Sequence, residues 1–123
     1  VLMMLSACSE KTYDVGTKIK LWGGYDQAPV WLNGLEFYTG VVEGVIPSKN
    51  DVNARVVRLD NPITVEGVTG DVVVLELRYV GATWSGEQVV HIELCDFEPE
   101  AKMWSQQRQG AWVESHASVV PIK

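Results

Sequence analysis

Apolar and polar residues alternate with a two-residue period over much of the chain, most clearly over 70–98, GDVVVLELRYVGATWSGEQVVHIELCDFE. Val73, Leu75, Leu77 and Tyr79 share one face of a first run, and Glu76 and Arg78 lie on the other. In a second run Val90, Ile92 and Leu94 share a face opposite His91, Glu93 and Cys95. Successive side chains of a strand point to opposite faces, so both runs predict half-buried strands. The glycine-containing polar stretch 81–87 between them, with Trp84 at its tip, predicts the turn of a hairpin, and Leu77 is central to its inward face.

The rest of the chain reads as shorter strands. Over 15–22, Ile19 and Leu21 face one way and Lys18, Lys20 and Trp22 the other, and Gly23-Gly24 ends the strand. Pro29, Trp31 and Asn33-Gly34 mark 25–34 as a loop, long for a compact domain and therefore a place to look for function. A second strand is predicted over 35–46, with Gly40 and Gly44 as bulges or sharp bends of the kind a small barrel needs. The stretch 47–51 is a turn, and 53–59 a third strand with Val57 and Leu59 inward and Arg58 outward. Asp60-Asn61-Pro62 predicts a break, because proline removes a ladder donor; 63–66 continues as an edge and 67–70 turns.

A helix is predicted over about 99–109: Pro99 suits its first turn, Glu98 and Glu100 complement its dipole, and Gly110 suits its C′ position. A last strand over 111–120 ends at Pro121. The fold expected is mainly β with a minor α part: a small antiparallel barrel, or a strongly bent sheet, with one helix before the last strand. Residues 1–14 form a lead-in and 15–123 a single barrel-like domain.

Length and composition narrow the functional classes. A chain of 123 residues with 46% hydrophobic residues is one globular domain rather than a disordered segment. A formal charge of −6 argues against general nucleic-acid binding, which needs cations to displace counterions. Cys8 and Cys95 form no disulfide framework, although a single bridge between them stays open. No apolar run approaches the length of a membrane span. Leu5-Ser6-Ala7-Cys8 resembles the lipobox of bacterial lipoproteins, but only seven residues precede Cys8 and none is basic. A cytoplasmic location is favoured, and membrane attachment hangs on lipidation of Cys8.

Three sets of residues could carry chemistry. On the polar face of the hairpin His91 lies opposite or diagonal to Glu76 and Arg78, with Glu93 one pair along, a grouping that could orient a general base. The same residues also suit an ordinary solvated face dressed with cross-strand charge pairs. Five tryptophans, Trp22, Trp31, Trp84, Trp104 and Trp112, are many for this length. Trp31, Tyr25, Trp84, Trp112 and Trp22 could stack on a ligand, form a homodimer interface, or seal the barrel ends. His116 beside Glu114 is a third grouping. Two histidines without Cys-x-x-Cys or His-x-x-x-His spacing show no metal signature, and no phosphate loop or dinucleotide fingerprint is present, so no cofactor is expected. Acids beside Cys95 raise rather than lower a thiol pKa, which argues against a nucleophilic cysteine.

The phrases Val15-Gly16-Thr17-Lys18-Ile19, Gly23-Gly24-Tyr25, Thr39-Gly40-Val41-Val42, Arg58-Leu59-Asp60-Asn61-Pro62-Ile63 and Leu75-Glu76-Leu77-Arg78-Tyr79-Val80-Gly81 resemble small single-domain proteins carried on integron gene cassettes. That resemblance implies a mobile, accessory role and no particular reaction. The strand layout is similar to SH3-like barrels, a fold that hosts many kinds of binder. Together these readings favour a non-enzymatic module, a homodimer or other homo-oligomer, that holds a small molecule or partner protein through Trp-rich loops. The alternatives are a small enzyme using a cleft histidine and carboxylate, and a lipid-anchored envelope protein.

Overall fold

The structure, a computed structural model, describes residues 13–23, 32, 34–47, 52–65, 67–98, 103–105 and 112–122, with the backbone alone at 65, 96–98, 103–105 and 112–116. Among the described residues eight strands follow one another: β1 (Lys18–Trp22), β2 (Tyr38–Ile46), β3 (Ala54–Val65), β4 (Val68–Leu77), β5 (Gln88–Leu94), β6 (Asp96–Glu98), β7 (Met103–Ser105) and β8 (Trp112–Ile122). Six of them close an antiparallel barrel in the order β1-β2-β3-β4-β5-β8, and β6 and β7 form a separate two-stranded sheet. Closure joins β1 to β8, with Lys18 opposite Ile122 and Trp22 opposite Ser118. A mainly β, closed barrel is therefore the architecture.

The alternation seen in the sequence builds the interior. Ile19 and Leu21 of β1, Tyr38 and Val42 of β2, Val57, Leu59 and Ile63 of β3, and Val73, Leu75 and Leu77 of β4 are buried together. Val90, Ile92 and Leu94 of β5 and Ala117 and Val119 of β8 complete the ring. A second, smaller cluster lies on the outside: Ala54 and Val56 of β3, Val72 and Val74 of β4, and Cys95, with Ile46 against it. The unbroken run Val72-Val73-Val74-Leu75 reflects burial on both faces, and Cys95 joins the cluster as its amide donates to the Val72 carbonyl. Cys95 is on the outer face as its strand period requires, but that face is apolar here.

Gly40 is required by close approach. A Cβ there would lie 2.5 Å from the Arg58 carbonyl oxygen and 3.1 Å from Leu59 Cα, both backbone atoms of β3. Of the two bulges or bends expected in β2, the one at Gly44 coincides with the shift in register against β3 between Val42 and Gly44.

Three expectations need correction, and a fourth is not shown. The break at Asp60-Asn61-Pro62 is absent: β3 runs through it to Val65, and only the ladder with β4 is interrupted, between the pairs Arg58–Val72 and Ile63–Gly70. The missing N–H of Pro62 is accommodated where no regular β3–β4 pairing exists. The stretch 67–70 is mostly strand, because Val65 pairs with Val68 across a tight turn in which Gly67 has φ +81°. Finally, no helix is shown over about 99–109. Its described part, Met103–Ser105, is β7 paired with Asp96–Glu98, and the rest lies outside the described residues. Tyr79, expected inward, comes after β4 ends and is exposed.

Candidate functional site

The barrel has two ends of different character. One end gathers the start of β1, the end of β2, the start of β3, the end of β4, the start of β5 and the end of β8. Tyr13 and Trp84 plug it. Tyr13 is fully buried, with its ring centroid 4.9 Å from that of Trp84 and tilted 57° to it. Its hydroxyl donates to the carbonyl of Gly86 at 2.6 Å and of Val119 at 3.2 Å. The Trp84 indole N–H donates to the Asn53 carbonyl at 2.7 Å. Of the roles open to the tryptophans, Trp84 is thus seen sealing a barrel end, 4% exposed, rather than presenting its ring outward.

Arg55 completes the plug, and the sequence signal for it went unused. It is two residues before Val57 and four before Leu59, so strand alternation turns it inward with them. Its register partner is the fully buried Leu75. Nε donates to the Tyr13 carbonyl at 2.9 Å, Nη1 donates to the Asn53 carbonyl at 3.1 Å, and the guanidinium lies 5.0 Å from the Trp84 ring. Burial pushes the Arg55 pKa down, and the nearby Asp14 partly offsets this. Burial, helped by the charge of Glu87, raises the Tyr13 hydroxyl well above its ordinary 10.0, so the phenol stays a donor. Tyr13 holds this position with φ +60°, an unusual backbone for a residue with a Cβ. Residue 13, read as lead-in, is therefore part of the core, and chemically the plug is a set of satisfied groups rather than a reactive centre.

At the other end, the outer face of β1 carries Lys20 and Trp22, both half-buried. Phe37, just before β2, is exposed. Between the two rings the Lys20 ammonium lies 4.6 Å from the Phe37 centroid and 5.7 Å from that of Trp22. Lys20 pairs with Thr39 across the ladder, which brings Phe37 within diagonal reach. Two aromatic faces sharing one cation, with exposed Leu35 close by in sequence, make a mixed surface able to hold an apolar group beside a negative one.

The polar face of the hairpin takes its expected register. Glu76 stands opposite His91 and Val74 opposite Glu93, while the Arg78 amide donates to the Val89 carbonyl beyond the end of β4. Glu76 and His91 are half-buried, Glu93 is buried and Arg78 exposed. On the other side of β5 the ladder with β8 is irregular: Val90 pairs with Ala117 and Ile92 with Val113, so 114–116 of β8 stand against His91 alone. The backbone thus brings His91, Glu76 and the Glu114-to-His116 stretch to one part of the barrel wall. Trp112 pairs with Glu93. Further round, Arg58 bridges Glu43 and Asp71, at 3.1 and 3.2 Å, as a partly exposed ion network of ordinary surface kind. Tyr25, Trp31 and Cys8 lie outside the described residues. Among the described residues no group of three or more histidine, cysteine or acidic side chains could hold a metal ion.

Compared with family models, with curated proteins and with solved structures, the chain finds no match.

Proposed function

We propose that the protein is a non-enzymatic binding module, an accessory protein of the kind implied by its integron-cassette phrasing, that self-associates through the outer face of β1 and the residues leading into β2. The observation that supports this reading is the Trp22–Lys20–Phe37 stack at the other end of the barrel. The opposite end is filled by Tyr13, Trp84 and Arg55, so the chain's own aromatics already occupy that position. Aromatic side chains are enriched at the centres of protein contacts. The partner is a second copy of this chain, and a small amphipathic anion is the runner-up occupant. An SH3-like character belongs to the same proposal and is supported by the small size and the sequential antiparallel order of β1 to β5.

Light scattering tests it. Wild type is expected at twice the 13.6 kDa chain mass, and Trp22→Ala or Phe37→Ala at the monomer mass. A monomeric wild type would overturn self-association, and tryptophan fluorescence titrations with amphipathic anions would then examine the runner-up.

A second reading, a small enzyme using a histidine and a carboxylate, is supported by the Glu76–His91 register pair and the irregular β8 segment beside it. On that reading a substrate screen finds a turnover that both His91→Ala and Glu76→Gln abolish at unchanged oligomeric mass.

A further inference from the structure

We infer that the outer wall of the barrel at His91 is a site for one divalent metal ion of the zinc class, built from Glu76 of β4, His91 of β5, and Glu114 and His116 of β8. Strand alternation places the first two together. Leu75 and Leu77 are interior, so Glu76 is on the outer face, and His91 is there too, between interior Val90 and Ile92. Glu76 and His91 are register partners, and both are half-buried. Two donors are too few to hold such an ion.

The irregular ladder between β5 and β8 supplies the rest. Val90 pairs with Ala117 and Ile92 with Val113, so four steps along β8 match two along β5. Both numbers are even, and the inward and outward alternation therefore agrees at the two ends of the bulge. Ala117 is interior and Val113 stands opposite interior Ile92, which puts 114 and 116 on the outer face. A regular ladder sets one outer-face residue beside His91. Here two such positions stand there, and the sequence fills them with Glu114 and His116.

The donor set identifies the ion. Two imidazoles and two carboxylates make four donors, the number a tetrahedral zinc ion takes from nitrogen and oxygen ligands. Imidazole favours zinc and its first-row neighbours, whereas calcium and magnesium are bound through oxygen. Neighbouring strands are about 4.8 Å apart, so the backbones that carry these residues lie within about 10 Å across the three strands. Glu93, a buried carboxylate one pair along on the same face, is placed to serve the outer shell that such sites need. No short spacing marks the site in the sequence, because its residues come from three strands that only barrel closure brings side by side. An ion held there ties β4, β5 and β8 together where the β5–β8 ladder is irregular.

Glu76 and His91 also serve the enzyme reading above, but the test reads metal rather than turnover, so either can fail without the other. The test is calorimetric titration of the full-length, chelator-treated chain with zinc, and separately with magnesium and calcium. Wild type is expected to take one zinc ion per chain, with its solution mass unchanged by zinc, and to bind neither magnesium nor calcium. His91→Ala and His116→Ala are each expected to weaken zinc binding by at least about tenfold, and Cys8→Ser to leave it unchanged. Glu76→Gln, close in shape to the native residue, is expected to weaken it as well and keeps the test open if an alanine variant fails to fold by circular dichroism. Cobalt(II), used as a spectroscopic probe, is expected to give the visible bands of tetrahedral coordination without a thiolate charge-transfer band. No zinc binding by wild type overturns the inference. Zinc binding that survives both histidine changes, that disappears with Cys8→Ser, or that doubles the solution mass overturns it equally.

Discussion

Tyr13→Phe isolates the hydroxyl that ties residue 13 to the β4–β5 turn and to β8. The ring keeps its place against Trp84, and only the hydrogen bonds to the carbonyls of Gly86 and Val119 disappear. Each such bond is worth about 0.5–1.5 kcal/mol net, and a buried acceptor left without its donor costs about 1–3 kcal/mol. The expected loss at neutral pH is about 1–3 kcal/mol. The pH dependence makes the test sharper. Burial and Glu87 raise the pKa of Tyr13 in the folded state above its ordinary 10.0. The hydroxyl is protonated in both states below about pH 10, so there its contribution is complete. Above about pH 10 the unfolded chain releases this proton while the folded chain keeps it, and wild-type stability falls by up to about 1.4 kcal/mol per pH unit. Phenylalanine has no such proton, and the other tyrosines are common to both proteins. Urea melts followed by circular dichroism at pH 7, 9, 10 and 11 should therefore show a gap between the two proteins that is constant to about pH 9.5 and then narrows. Equal stabilities at pH 7, or a gap that persists undiminished to pH 11, would refute the hydroxyl's role in the plug.

Two further substitutions test the barrel wall. Gly40→Ala puts a methyl 2.5 Å from the Arg58 carbonyl, so β2 and β3 must separate; a loss of about 1–3 kcal/mol in urea melts is expected, and unchanged stability would mean that the strands are less closely apposed. Leu77→Ala removes a side chain buried in the barrel interior and should cost about 2–5 kcal/mol, whereas a loss below about 1 kcal/mol would reverse the inward and outward faces.

How much of this was legible in the sequence depended on whether one period governed a segment. Val73, Leu75, Leu77, Val90, Ile92 and Leu94 read correctly as interior because each alternates with polar or outward positions and the turn between them is rich in glycine and polar residues. Glu76 opposite His91 followed from the same count. Pro62 misled because proline forbids one ladder bond but not an extended backbone, and β3 passes through it while β4 is locally unpaired. Around Met103, Pro99 and the flanking glutamates satisfy helix-start chemistry locally, but the described part, 103–105, pairs with 96–98. Arg55 and Tyr13 were missed for a shared reason. An arginine at an inward position and an aromatic ahead of the first strand look like surface and lead-in unless each is known to satisfy the other, and that contact spans 42 residues.

The β1–β8 seam has a consequence for biosynthesis. Strand β1 precedes β2 and can pair with it early, but its other flank stays unpaired until Trp112–Ile122 has been made, and the Tyr13 hydroxyl waits 106 residues for the second of its two acceptors. Pairing at such sequence distance is slow to form, because the loop entropy is lost before the contact is gained. Until β8 has been made, β1 is therefore a margin of whatever sheet has formed. Any chaperone or second nascent chain that reaches the polypeptide on the ribosome meets that margin, which the finished barrel no longer has.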